Sequence, residues 1–229
     1  MKMHLLLFCL LAILSASAQT GNIGADANKT FSIRGEYGRP LLSAAAEIKG
    51  SPLVSENWSK GYVKFWNGRI LKDIPLRFNL FTSELYYQLD GVDFVFVEPV
   101  GEFSFPYEDN GTSCLAFFRN GYPGTKPASK QIFYEVLFEG NRFQLLKRNY
   151  KIIRESSGYG REPIKVFEPG SEWYVYDSQS KLIHLIKNRK PLTASVPELG
   201  VLLNRLKGNE TGKFKSEKEL IDLVISLNQ

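Results

Sequence analysis

The stretch at 61–105, GYVKFWNGRILKDIPLRFNLFTSELYYQLDGVDFVFVEPVGEFSF, constrains the fold more than any other part of the chain. Apolar and polar residues alternate through much of it, which puts successive side chains on opposite faces of a strand. Asn67-Gly68 and Asp90-Gly91 each separate two runs of strand-forming residues. Such pairs are the strongest short-range hairpin signal, because both residues tolerate positive φ. The pattern predicts strands over 62–66, 69–71, 74–81, 84–89, 92–97 and 102–105. Ile74, Leu76, Phe78 and Leu80 fall on one side of their strand, with Arg77 and Asn79 on the other, so one face is a core face. Pro75 has no N–H to give a ladder and therefore belongs at an edge, at a bulge or facing outward. All of this is scaffold and carries no chemistry by itself.

Strand signals continue over 113–119, 131–138, 142–147, 164–167, 172–176 and 182–186. Glu139-Gly140-Asn141 and Pro169-Gly170-Ser171 read as turns, 120–130 and 156–161 as surface loops, and 41–49 as a short helix. Trp58 reads as an anchor. Near the C-terminus, Ser195 and Ser216 are each followed three residues later by Glu, as at a helix N-cap. Leu199, Leu202, Leu203 and Leu206 then form one apolar stripe, and Leu220, Leu223, Val224 and Leu227 another. The expected fold is a single α+β domain over 31–229, mostly β. It would be a curved antiparallel sheet, open or barrel-like, with two C-terminal helices covering it.

Residues 1–18 have the three parts of an export signal: Lys2, an apolar run at 5–14, and Ala16-Ser17-Ala18 as the cleavage site. The apolar run is about half of the ~20 residues a membrane span requires, so no transmembrane span is expected in the mature chain. The mature protein would begin near Gln19, and 19–30 offers almost nothing to bury, which predicts a flexible N-terminus. The formal net charge of +5 includes Lys2 and is too small to imply nucleic acid. Cys9 leaves with the signal, so Cys114 has no partner for an intramolecular disulfide.

His4 leaves too, and with His184 and Cys114 alone in the mature chain the usual zinc sites cannot be built. His184 sits among apolar residues in LIHLIK, no nucleophile-elbow motif accompanies it, and it reads as an ordinary sheet histidine. Cys114 reads as an inert thiol. The run 121–126, GYPGTK, has a proline where a phosphate loop needs a backbone donor, and 108–110, EDN, lacks the spacing of a calcium loop. No metal and no cofactor is therefore expected. Glu98 and Glu102 bracket the bend at 99–101 and form the one candidate pair for carboxylate hydrolysis. Tyr122 and Tyr159, both in loops, are the candidate contacts for a ligand or partner.

The segments 50–81, 133–148 and 216–228 together resemble a family of uncharacterised exported proteins of Bacteroidota. The family's pattern has a signal peptide, a GSP-x-L segment, a Trp before a Gly, a PLRYN-like strand, a YEVL-x-x-G hairpin and a closing lysine-rich helix. Here Phe78 stands in place of the Tyr, and Leu53 follows Pro52 directly. The resemblance implies a compartment: periplasm, outer-membrane surface or outside the cell. It brings no catalytic residues. The sequence thus points to a non-catalytic exported binding or accessory module of the bacterial cell envelope, with an unknown envelope protein as partner. The alternatives are a carrier of a lipid or other apolar ligand in a sheet–helix cavity, and a carboxylate-based hydrolase.

Overall fold

A computed structural model describes residues 38–40, 48–109, 111–123, 131–156, 164–186, 214 and 216–229. The signal at 1–18, the 19–30 segment, Tyr159 and the first expected C-terminal helix lie outside the described residues. Among the described residues twelve strands build one sheet. They are β1 (Gly38–Pro40), β2 (Ile48–Lys49), β3 (Ser59–Phe65), β4 (Ile70–Asn79), β5 (Glu84–Leu89), β6 (Val92–Phe96), β7 (Val100–Asp109), β8 (Thr112–Arg119), β9 (Tyr134–Glu139), β10 (Phe143–Ser156), β11 (Ile164–Asp177) and β12 (Leu182–Ile186). Among the described residues one helix, α1 (Glu217–Leu227), follows. The strand order is β1-β6-β5-β4-β3-β7-β8-β9-β10-β11-β12, an open path with β2 added to β11. Every pairing is antiparallel except β2 with β11.

The expected core face is present: Leu76 and Phe78 are buried, and Ile74 and Leu80 pack against the same cluster. Asp90 and Gly91 both have positive φ, 51° and 76°, and make the predicted two-residue turn. The Asn67-Gly68 turn differs, because Gly68 has φ 85° while Asn67 is not in the positive region. Gly68 N and Phe65 N donate to Phe65 O and Arg69 O, each at 2.9 Å, which closes a three-residue loop ending in a bulge.

The sequence expectations need correction at two places. Pro169-Gly170-Ser171 does not turn; β11 runs straight through it, with Lys151 opposite Pro169 and Tyr150 opposite Gly170. On its outer side β11 pairs with β2 at 165–166 and with β12 at 173–177 only, so Pro169 falls in the gap and owes no N–H to a neighbour. Pro75 and Pro106 follow the same rule: the β5 ladder starts at Leu76, and the β3 ladder on β7 ends at Ser104. Of the short helix expected over 41–49, Ile48 and Lys49 form β2, held by β11 from across the chain.

The sheet curls strongly. β4 and β8 are three strands apart in the order, about 14 Å if flat. Yet the rings of Phe78 and Phe118 lie 5.2 Å apart. Lys151 N on β10 even reaches Leu80 O just beyond β4, at 3.3 Å. Gly61 sits at the tightest point of the bend, where an added Cβ would meet Leu76 Cδ1 at 2.6 Å and clash with Ser104 O. The segment 48–54 straps the opening: it pairs with β11 through β2, and Val54 N and Leu80 N bond Phe78 O and Pro52 O at 2.9 Å.

Two further clusters stabilise the other half. Leu220, Leu223 and Val224 of α1 pack on Phe143, Leu145, Val175 and Ile186. Leu146 points to the opposite face and packs with Tyr122 and Tyr134. Ser216 caps α1 by accepting from Glu219 N at 3.2 Å, as the sequence predicts.

Candidate functional site

The bulged turn between β3 and β4 places Trp66 at its tip, where no core can take it. Trp66 N donates to Pro99 O at 3.1 Å, which ties the turn to the bend before β7. The indole lies across the backbone of Gly121, where a Cβ would stand 2.5 Å from the ring, so glycine is what lets the ring settle there. The side chain remains 63% exposed, and Val97 beside it 53%. Between them and the start of β5 opens a cavity of about 290 Å³. Trp66, Phe96, Val97, Pro99 and Phe133 are among its apolar lining residues, and Ser83, Glu84, Glu98, Asn120 and Gln131 among its polar ones.

The charges in this cleft are already balanced. Glu98 is paired with the Arg69 guanidinium and accepts from Asn67 Nδ2 at 2.7 Å. Glu84 accepts from Arg39 Nη2 at 2.9 Å and from the Tyr86 hydroxyl at 3.4 Å. Asn120 donates through Nδ2 to Val100 O at 2.8 Å and leaves Oδ1 without a protein partner. That oxygen is buried from solvent and is not offered to the cleft.

A second cavity of about 250 Å³ shares Ser83 and Phe133 with the first and runs along Arg148, Tyr150 and Lys151. Its cations are committed to structure, since Lys151 Nζ donates to Ser51 O at 2.6 Å and Leu53 O at 2.8 Å and Arg148 Nη1 pairs with Glu172 Oε2 at 3.4 Å. Burial lowers the Lys151 ammonium below its ordinary pKa. The concave face of the curl is filled. Phe78, Phe103, Phe118 and Phe133 stack there at centroid distances of 4.8 to 5.8 Å. Tyr87 joins them fully buried, its hydroxyl without a protein partner and pushed up by burial to about 12.

Of the residues singled out by sequence, Glu98 lines the first cavity and Glu102 does not. Glu102 sits within β7 between Lys64 at 3.6 Å and Arg119 at 3.4 Å, so the two carboxylates belong to separate ion-pair networks. Tyr122, expected on the surface, is only 5% exposed. Its ring meets Tyr134 and Tyr176 edge-on, at 5.7 and 5.0 Å, and its hydroxyl donates to Gln144 Oε1 at 2.8 Å. It presents no face to a partner. His184 lies half-buried opposite Val175 in the β11–β12 ladder, and the Cys114 thiol points at Thr112 O at 3.7 Å.

Sequence reasoning missed Trp66, Val97 and Glu84. Trp66 was the legible one: an aromatic immediately before Asn-Gly stands at a loop tip and cannot reach the sheet's inner face. Among the described residues, no group of three or more His, Cys, Asp or Glu is placed to hold a metal. No helix among them is long and apolar enough to cross a membrane. No family model, curated protein or solved structure matches the chain.

Proposed function

We propose that this protein is a non-catalytic, exported binding or accessory module of a bacterial cell envelope, working through the cleft beside Trp66. The observation that carries the reading is the exposed Trp66–Val97 pair over a cavity whose carboxylates are already matched by Arg39 and Arg69. A large aromatic held at a turn, with neutralised polar groups around it, is suited to recognition more than to proton transfer. The signal-like 1–18 segment and the resemblance to exported Bacteroidota proteins support the compartment. The apolar-carrier alternative has less support, because phenylalanine rings occupy the concave face where an acyl chain would lie.

The test places the photo-crosslinker benzoylphenylalanine at position 97 in the producing cell. The expected outcome is a discrete adduct with one envelope component, absent when the label replaces Leu115, which is exposed on the distant β7–β8 hairpin. Equal labelling from both positions sinks the reading. N-terminal sequencing of the exported chain checks processing after Ala18.

A carboxylate hydrolase keeps one specific support, since Glu84 and Glu98 line a single cavity. In that pair Glu84 takes the place of Glu102. Absence of product from neutral and acidic oligosaccharides under wild-type protein removes this second reading, and retained turnover in Glu98→Gln removes Glu98 from it.

A further inference from the structure

We infer that the cleft beside Trp66 is a subsite for a neutral saccharide ring, with the indole against the ring's C–H face and the polar wall on its hydroxyl edge. This rests on the binding reading above and names its ligand class. The charge pattern excludes the simplest alternatives. A cationic ligand would meet Arg69 and Arg39 beside the carboxylates, and an anionic one would meet Glu84 and Glu98. A wholly apolar ligand would strip water from the remaining lone pairs of two carboxylates and offer no donor in return, which is costly. What remains is a neutral molecule with an apolar face and a rim that both donates and accepts. A pyranose has that construction.

The volume of about 290 Å³ lies just below the range of about 300 to 1,000 Å³ usual for ligand pockets, which suits a single ring. Both carboxylates retain lone pairs beyond those used by their present donors. Those lone pairs are open to further donors. Sugar hydroxyls supply them.

The experiment titrates the mature chain with cellotriose, mannotriose and triacetylchitotriose, with trigalacturonate and dodecanoate as charged and apolar controls. Calorimetry and indole fluorescence are the readouts. The expected result is saturable binding of at least one neutral trisaccharide, neither control binding. The acetylated and plain arms distinguish an amino-sugar glycan from a hexose one. Trp66→Ala should weaken binding about tenfold and Trp66→Phe less, with melting temperature held because the side chain is exposed. Val97→Asp serves as a second variant should Trp66→Ala disturb the turn against Gly121. No binding by any neutral arm, undiminished binding in both variants, or tighter binding of trigalacturonate overturns the inference. If the neutral arms fail while the label at position 97 still captures a discrete envelope protein, the saccharide inference falls and the binding reading stands. If both fail, both fall.

Discussion

Asp177 is the most fully satisfied carboxylate among the described side chains. Arg142 donates to its two oxygens through Nε and Nη2, each at 3.1 Å, and Gln179 N and Ser180 Oγ add bonds at 3.0 Å. The Arg142 bonds, against the opposing effect of burial, hold the carboxyl at about 2. Because the folded pKa is depressed, the stabilisation is complete above the ordinary carboxylate range. It is lost as pH falls towards 2. Asp177→Asn should therefore lower stability at pH 7 by about 1 to 2 kcal/mol, discounted because Arg142 is partly in water. In urea titrations the difference from wild type should shrink between about pH 4 and pH 2; a constant difference would separate Asp177 from the acid response. Tyr122 belongs to the same scale. Tyr122→Phe should cost about 1 kcal/mol for its bond to Gln144. Tyr122→Ala should cost about 3 to 5 kcal/mol through the cavity left between Tyr134 and Tyr176. Thermal melts check both. Sequence could not separate Tyr122 from an exposed loop aromatic, since Gly121 and Pro123 on either side give the same turn signal in both cases. Its burial comes from β10 and β11, far along the chain.

At the level of elements, periodicity and turn chemistry were enough to locate most strands and the C-terminal helix, because those signals act between near neighbours. They could not say that Pro106 and Pro169 lie inside strands, since a proline is tolerated wherever the adjoining strand has ended, and that depends on distant partners. Nor could they show what docks α1. Asn228 does much of this. Its Oδ1 accepts from Arg142 N at 2.9 Å and Phe143 N at 3.0 Å, while Nδ2 donates to Val224 O at 2.8 Å and Phe143 O at 3.1 Å. Gly140 leaves room for that side chain, which a Cβ there would overlap. Asn228→Ala strands the β9–β10 turn's donors and unties the helix end, and should cost about 2 to 3 kcal/mol. Hydrogen exchange in α1 should speed up more than in β3 or β7; uniform change across the sheet would contradict the docking role. Gly61→Ala acts on the bend itself, where Leu76 and Ser104 leave no space, and should cost about 3 kcal/mol of stability in denaturant melts.

At the scale of the whole fold, the described residues form two packed halves joined by a narrow seam. β8 and β9 pair at only two positions, Phe118 with Glu135 and Arg119 with Tyr134. On one side lies the aromatic cluster around Phe78 and Phe103, and on the other the smaller cluster beneath α1. What holds the halves in register is the strap at 48–54, whose ends pair with β11 and β4 and whose middle is gripped by Lys151. Nothing in the local pattern of 48–54 announces this, because the strap's partners are more than a hundred residues away on β11 and about twenty-five away on β4. If the strap couples the halves, the wild-type chain should unfold in one cooperative transition. Lys151→Met removes both ammonium bonds and leaves Ser51 O and Leu53 O without their donor, so the strap should open at lower free energy. The transition should then split. The half with α1 and the smaller cluster should lose exchange protection first, while amides of β3, β4 and β7 persist around the phenylalanine stack. Pulse-labelled hydrogen exchange across a urea series reads the two halves separately. A variant that still unfolds in a single step, all strands together, would place the coupling in the β8–β9 seam and leave the strap as a surface tie.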